Sequence, residues 1–196
     1  MKKLIFISFF IPLVISIACS KNEDQAVPVT TEIFPLKVGN KWNYLVVRND
    51  SIRSNHVNEV IKDTLCNGQS WFVLTYDTTI RTICKNTPEG WWFLYSETPD
   101  LPGKPSLYYH YPARVNDQYL TADSSLVTVV SINEKVTVTA GSFTCYHYHM
   151  IHYRELYECD EFFAPGTGFI KHVVFEPNLG ISKVLEVTTL VSTHLP

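Results

Sequence analysis

The chain has 196 residues, of which 18% are charged and 13% aromatic, with 16 basic and 19 acidic side chains for a net charge of −3. That length holds one domain with a real core. The mildly acidic balance, with no basic patch, excludes the phosphate electrostatics on which nucleic-acid binding rests.

Met1-Lys2-Lys3 gives a positive start, and the apolar run Leu4 to Ile17 leads into Ala18-Cys19. This is a secretory signal with a small residue just before a cysteine. The run is shorter than the ~20 residues a membrane span needs. The pattern resembles a bacterial lipoprotein signal, which is cut before the cysteine and lipidated on its thiol. Ser16 departs from the Leu or Val usual three residues before that cysteine. Ser20 follows Cys19, so the aspartate that marks inner-membrane retention in some bacteria is absent. The Lys21–Gln25 stretch, with Glu23 and Asp24, resembles the surface-export signal of Bacteroidota lipoproteins.

Residues 1–18 therefore read as a signal peptide, 19–33 as lipidated cysteine plus tether, and 34–196 as one domain. Loss of Lys2 and Lys3 leaves 14 basic against 19 acidic side chains, a net charge of −5. A lipid anchor on Cys19 predicts a cell-envelope protein, at the outer membrane and with surface exposure as the further expectation.

From Phe34 onward the chain reads as strand after strand. Trp42, Tyr44 and Val46 alternate with Asn43, Leu45 and Val47. Val136 and Val138 alternate with Lys135, Thr137 and Thr139, and Leu185, Val187 and Val191 with Glu186, Thr188 and Ser192. Period-two patterning of this kind predicts half-buried antiparallel strands, eleven to thirteen in all. Turn chemistry falls between them at Asn67-Gly68, Thr87-Pro88-Glu89-Gly90, Ala140-Gly141-Ser142, Pro165-Gly166-Thr167-Gly168 and Pro177-Asn178-Leu179-Gly180. Residues 97–117 carry four prolines around Leu107–Tyr111 and read as a long loop with one edge strand. A short helical turn is expected near Thr31 to Phe34, before Pro35. So many strands must curl, close or split. The predicted class is all-β, a strongly curved antiparallel sheet as a half-barrel or barrel, with a two-sheet sandwich as the alternative.

Two motifs, FPLKVGNKWNY at 34–44 and VTVTAGSFTCYHY at 136–148 with FFAPGTGFIK at 162–171, resemble a family of uncharacterised bacterial lipoproteins of Bacteroidota type. The resemblance implies an all-β domain akin to the half-barrels of lipoprotein-sorting proteins, which hold acyl chains. It implies no catalytic residues. The histidine content after Cys145 departs from it.

Four cysteines remain beyond Cys19. A hairpin centred on His152 would set Cys145 opposite Cys159, close enough to bridge, and Cys66 with Cys84 is the second possible pair. The same register would put His147 and His149 on one face with Glu155 opposite His149, a conceivable His₂Glu set. Cys145 and His149 stand ~13.6 Å apart along a strand, too far for one ion. The run is expected instead to turn Tyr146, Tyr148 and Met150 inward and the histidines to water. No metal or other cofactor is expected. No Gly-x-Ser-x-Gly elbow, phosphate loop or dinucleotide fingerprint is present. Glu158 and Asp160 read as solvated carboxylates rather than a glycosidase pair. Asp50-Ser51-Ile52, Asp63-Thr64-Leu65 and Asp77-Thr78-Thr79 resemble O-glycosylation triplets of exported Bacteroidota proteins.

The sequence thus points to a non-enzymatic, membrane-anchored protein that holds an apolar ligand or a protein partner on a curved sheet. Trp91, Trp92, Tyr108, Tyr109 and Tyr111 are the candidate contact residues. The alternative is a glycan-binding or assembly module of an outer-membrane complex, with a hydrolase third.

Overall fold

The structure, a computed structural model, describes residues 32–77, 80–95, 103–176 and 183–196. Cys19, the signal segment and most of the tether lie outside these, as does the Pro177–Gly180 turn. Twelve strands are described: β1 (Lys41–Arg48), β2 (Ile52–Cys66), β3 (Gln69–Tyr76), β4 (Ile80–Thr87), β5 (Gly90–Tyr95), β6 (Lys104–His110), β7 (Gln118–Leu120), β8 (Leu126–Val138), β9 (Gly141–His152), β10 (Tyr157–Ala164), β11 (Gly168–Phe175) and β12 (Val184–His194). No helix occurs among the described residues; Ile33 and Phe34 form a bend.

All twelve strands share one antiparallel sheet in the order β6-β5-β4-β3-β2-β1-β12-β11-β10-β9-β8-β7. One continuous ladder replaces the two-sheet alternative. The sheet bends far enough that its ends meet: Trp91 of β5 touches Phe163 of β10, and Tyr109 of β6 touches Tyr148 of β9. The edge strands β6 and β7 are joined by side chains. His110 stacks on Tyr119 at 3.8 Å, and the Tyr119 hydroxyl donates to the Tyr108 carbonyl at 3.0 Å. This near-closure shields edges that would otherwise invite pairing with another chain.

Turn residues act as their chemistry predicts. Asn67 and Gly68 both take positive φ, the two-residue hairpin requirement. The two sequence motifs at 34–44 and 162–171 lock together. Trp42 Nε1 donates to the Thr167 carbonyl at 2.7 Å, and the Tyr44 hydroxyl to that of Phe169 at 3.0 Å. Gly168 has φ +99°, and a Cβ there would stand 2.9 Å from the Phe34 ring. Trp42, Tyr44 and Phe34 are buried, each such aromatic contributing about 1.5–3 kcal/mol by removal from water.

The β9–β10 hairpin differs from expectation. Residues 153–156 form its turn, so Tyr157 pairs with His152 and Cys159 with Met150. Cys145 is then five residues from the position opposite Cys159, roughly 17 Å along the strand, whereas a bridge needs Cα atoms within ~7 Å. Cys66 pairs with Gln69 while Cys84 pairs with Phe72, so the second bridge is also out of reach. Cys66, Cys84, Cys145 and Cys159 all carry free thiols. Glu155 sits exposed in the turn, and the residue opposite His149 is Asp160.

Tyr148 and Met150 of β9 are buried and Tyr146 packs against the core beside Tyr148, as the alternation predicts, and Cys145 is buried as well. One further departure lies on β12. A bulge between Asn43 and Tyr44 shifts β12, and Thr188 and Leu190 are its buried residues rather than Val187 and Val191.

Candidate functional site

The concave face of the sheet holds a half-open cavity of about 650 Å³. That is the size of a small-molecule site, usually 300–1,000 Å³. One end is aromatic. Phe34 stacks on Trp91 with centroids 4.5 Å apart, Tyr109 packs on Phe163 at 4.6 Å, and Phe93 abuts Trp91 at 4.5 Å. Period-two alternation supplies these rings: Trp91 and Phe93 from β5, Tyr109 from β6 and Phe163 from β10 project to the same side.

The remaining wall is polar. Tyr44, His56, Asn58 and Tyr76 come from the β1–β3 side, and Glu161, His172, Glu186 and Thr188 from β10 to β12. Glu186 is held by Arg48 in an ion pair, and Glu161 accepts a hydrogen bond from the Tyr109 hydroxyl. Burial, then the neighbouring Glu161 charge, pushes the Tyr109 phenol well above its usual range. The hydroxyl therefore stays a donor. Burial likewise raises Tyr44 and Tyr76. The cavity thus joins an apolar aromatic end to a polar wall that carries neutral phenols and two anchored carboxylates.

Behind this wall Cys159 Sγ lies 3.6 Å from His152 Nε2, and His152 Nδ1 lies 2.9 Å from Ser125 Oγ. The trio has the connectivity of a nucleophile, base and orienting group, but not the electrostatics. Burial, then Glu161 and Asp160, drives the Cys159 thiol far above its ordinary value, while burial lowers His152. Thiol and imidazole both stay neutral, the opposite of an activated pair. Burial also pushes Cys84 and Cys145 up to about 12, so both are protonated.

The other face of β9 and β10 carries a ladder of alternating sign. His147 Nδ1 pairs with Glu134 at 2.8 Å, and its Nε2 lies 3.1 Å from Asp160 Oδ1, out of line for a hydrogen bond. His149 Nδ1 pairs with the same oxygen at 2.8 Å, and its Nε2 stands 3.6 Å from Glu158. Burial works against charging His147, but Asp160 and Glu134 prevail and raise its pKa; the bond to Asp160 raises His149. Burial would raise the Asp160 carboxyl, yet both imidazoles hold it well below the usual range. These histidines are partly covered and carboxylate-bound, not a free solvent face.

The five aromatic candidates divide. Trp91, Tyr108 and Tyr109 line the cavity. Tyr111 is buried against Tyr146, edge to face. Trp92 lies on the opposite face, half-buried, with its indole N–H donating to Thr87 Oγ1. They form no shared exposed platform. Of the glycosylation triplets, Ser51 is exposed in the β1–β2 turn and Thr64 half-buried on β2; Thr78 and Thr79 lie outside the described residues. Sequence reading missed Glu161, His172, Glu186 and Thr188, polar residues on faces that alternation treats as solvent.

No known protein family matches the chain, and no curated protein matches it. Solved structures share its fold, two of them as follows. A protein described as exported, with a YmcC-like fold, from Bacteroides fragilis NCTC 9343 has a TM-score of 0.52 at 14% identity, over 83% of this chain and 98% of its own. A protein described as a lipoprotein, from Parabacteroides distasonis ATCC 8503, has a TM-score of 0.50 at 13% identity, over 84% of this chain and 99% of its own. At these identities the likeness establishes a common architecture for nearly the whole of both proteins, and no activity.

Proposed function

We propose that this chain is a lipid-anchored envelope protein that holds an apolar or amphipathic ligand in its concave cavity, without performing chemistry on it. The carrying observation is the cavity of about 650 Å³, aromatic at one end and polar along the other wall. An apolar body packs on Phe34, Trp91, Phe93 and Phe163, while a polar end meets the Glu161 to Thr188 wall. The neutral Cys159–His152 pair supports a binding role over a catalytic one. Export is supported by the run ending at Cys19 and by the descriptions of the two structural neighbours. The dispersal of the five aromatic candidates weighs against an exposed glycan platform.

The test is a titration of delipidated protein with a fluorescent acyl-chain probe. Saturable one-to-one binding is expected, displaced by an unlabelled fatty acid. Thr188→Phe, which adds a ring to the wall, should weaken it at least about tenfold, the effect of ~1.4 kcal/mol, without loss of fold. Non-saturable partitioning, or binding indifferent to this change, would overturn the proposal.

A further inference from the structure

We propose that Cys159, Glu161 and His172 form a site for one divalent transition-metal ion, zinc by ligand chemistry, in the cavity wall. Cys159 and Glu161 are two apart on β10 and share its inward face, and His172 of β11 is the cross-strand partner of Glu161. Each offers one ligand atom, and the three atoms lie within 4.8 Å of one another. Zinc takes sulfur at ~2.3 Å and nitrogen or oxygen at ~2.0–2.2 Å, so tetrahedral ligands stand roughly 3.3–3.7 Å apart. Closing the triad needs shifts of about 1 Å, the scale of a side-chain rotation.

The second observation is an orphan. His172 Nε2 is buried and has no hydrogen-bond partner, though Glu161 Oε1 lies 4.0 Å away. Burying such a nitrogen unpaired is costly. Glu161 Oε2 is engaged by Tyr109, while Oε1 is the oxygen turned toward His172. One carboxylate oxygen is thus fixed from behind and the other presented. On the sulfur side, Ser125 holds His152 Nδ1 so that Nε2 faces Cys159. Ligands oriented by outer hydrogen bonds are the usual construction of a metal site.

The donor set selects the metal. A thiolate beside an imidazole suits zinc or cobalt and disfavours magnesium and calcium, which want oxygen. Binding forms the metal–sulfur bond and releases the Cys159 thiol proton to solvent, leaving no net redox change. Three protein ligands leave a fourth position open, and because Glu161 and His172 line the cavity, that position faces it. The site is independent of which organic molecule fills the pouch.

Chelator-treated protein titrated with Co²⁺ tests this. One equivalent should produce a sulfur-to-cobalt charge-transfer absorption that Zn²⁺ abolishes. Cys159→Ser should remove the band, His172→Gln should weaken binding, and Tyr109→Phe should weaken it roughly 10–100-fold. His149→Gln, on the opposite face, should leave the titration unchanged. The wild-type spectrum is read first, so a variant that fails to fold cannot shelter the proposal. Absence of the band in the wild type overturns it. So does a band surviving in Cys159→Ser, or unchanged affinity in a folded His172→Gln.

Discussion

At the scale of single residues, the His147–His149 ladder is the most sensitive feature outside the cavity. The folded protein raises both imidazole pKa values, chiefly through Asp160 with Glu134 and Glu158. A folded pKa above the unfolded ~6.5 means the charged form favours folding. That stabilisation is fully present below about pH 6.5 and fades as pH rises through the folded values. The melting temperature should therefore fall above pH 6.5 in the wild type more steeply than in a His147→Gln, His149→Gln double variant. Parallel curves would show that the ladder does not titrate in this window. Gly168 makes a second prediction. Its positive φ and the 2.9 Å approach to Phe34 mean that Gly168→Ala strains the backbone and moves a core ring. The expected cost is roughly 1–3 kcal/mol, read from denaturant midpoints. The turn at Pro165–Gly168 was legible in the sequence. The close approach of Phe34 was not, because the two motifs stand more than a hundred residues apart.

At the scale of elements, patterning located strands well and placed their faces less well. Trp42, Tyr44 and Val46 are buried as their alternation predicts. On β12 the apolar residues Val187 and Val191 are only half-buried, while Thr188 is buried in the cavity wall. A sheet that encloses a partly polar cavity inverts the rule equating hydrophobic with inward. The β9–β10 hairpin failed for a different reason. A turn centred on His152 and one at residues 153–156 suit the same sequence, yet they differ by five residues in register. That difference decides the disulfides. Reducing agent should leave the melting temperature unchanged, and thiol titration of the denatured, non-lipidated protein should find Cys66, Cys84, Cys145 and Cys159 free. A reductant-sensitive melt, or missing thiols, would point to a bridge and another register.

At the scale of the whole molecule, the all-β class and strong curvature follow from strand number and turn chemistry, since twelve strands cannot lie flat. What composition could not decide was whether the aromatic excess fills the interior or lines a space within it. Both occur: Trp42 and Tyr148 are buried in the core away from the cavity, while Phe34, Trp91, Phe93, Tyr109 and Phe163 border it. An anchored pouch of this kind makes two demands of the protein in cells. Cys19→Ala should release it from the membrane fraction, as the lipid is the proposed attachment; retention would require another anchor. The pouch must also take an apolar chain against Trp91, which quenching by a brominated fatty acid measures most directly. Tryptophan emission should fall saturably with ligand, and Trp91→Phe should remove most of the quenched component while Trp92→Phe leaves it. No quenching, or quenching lost with Trp92 and kept without Trp91, would place the ligand off the concave face and contradict the account.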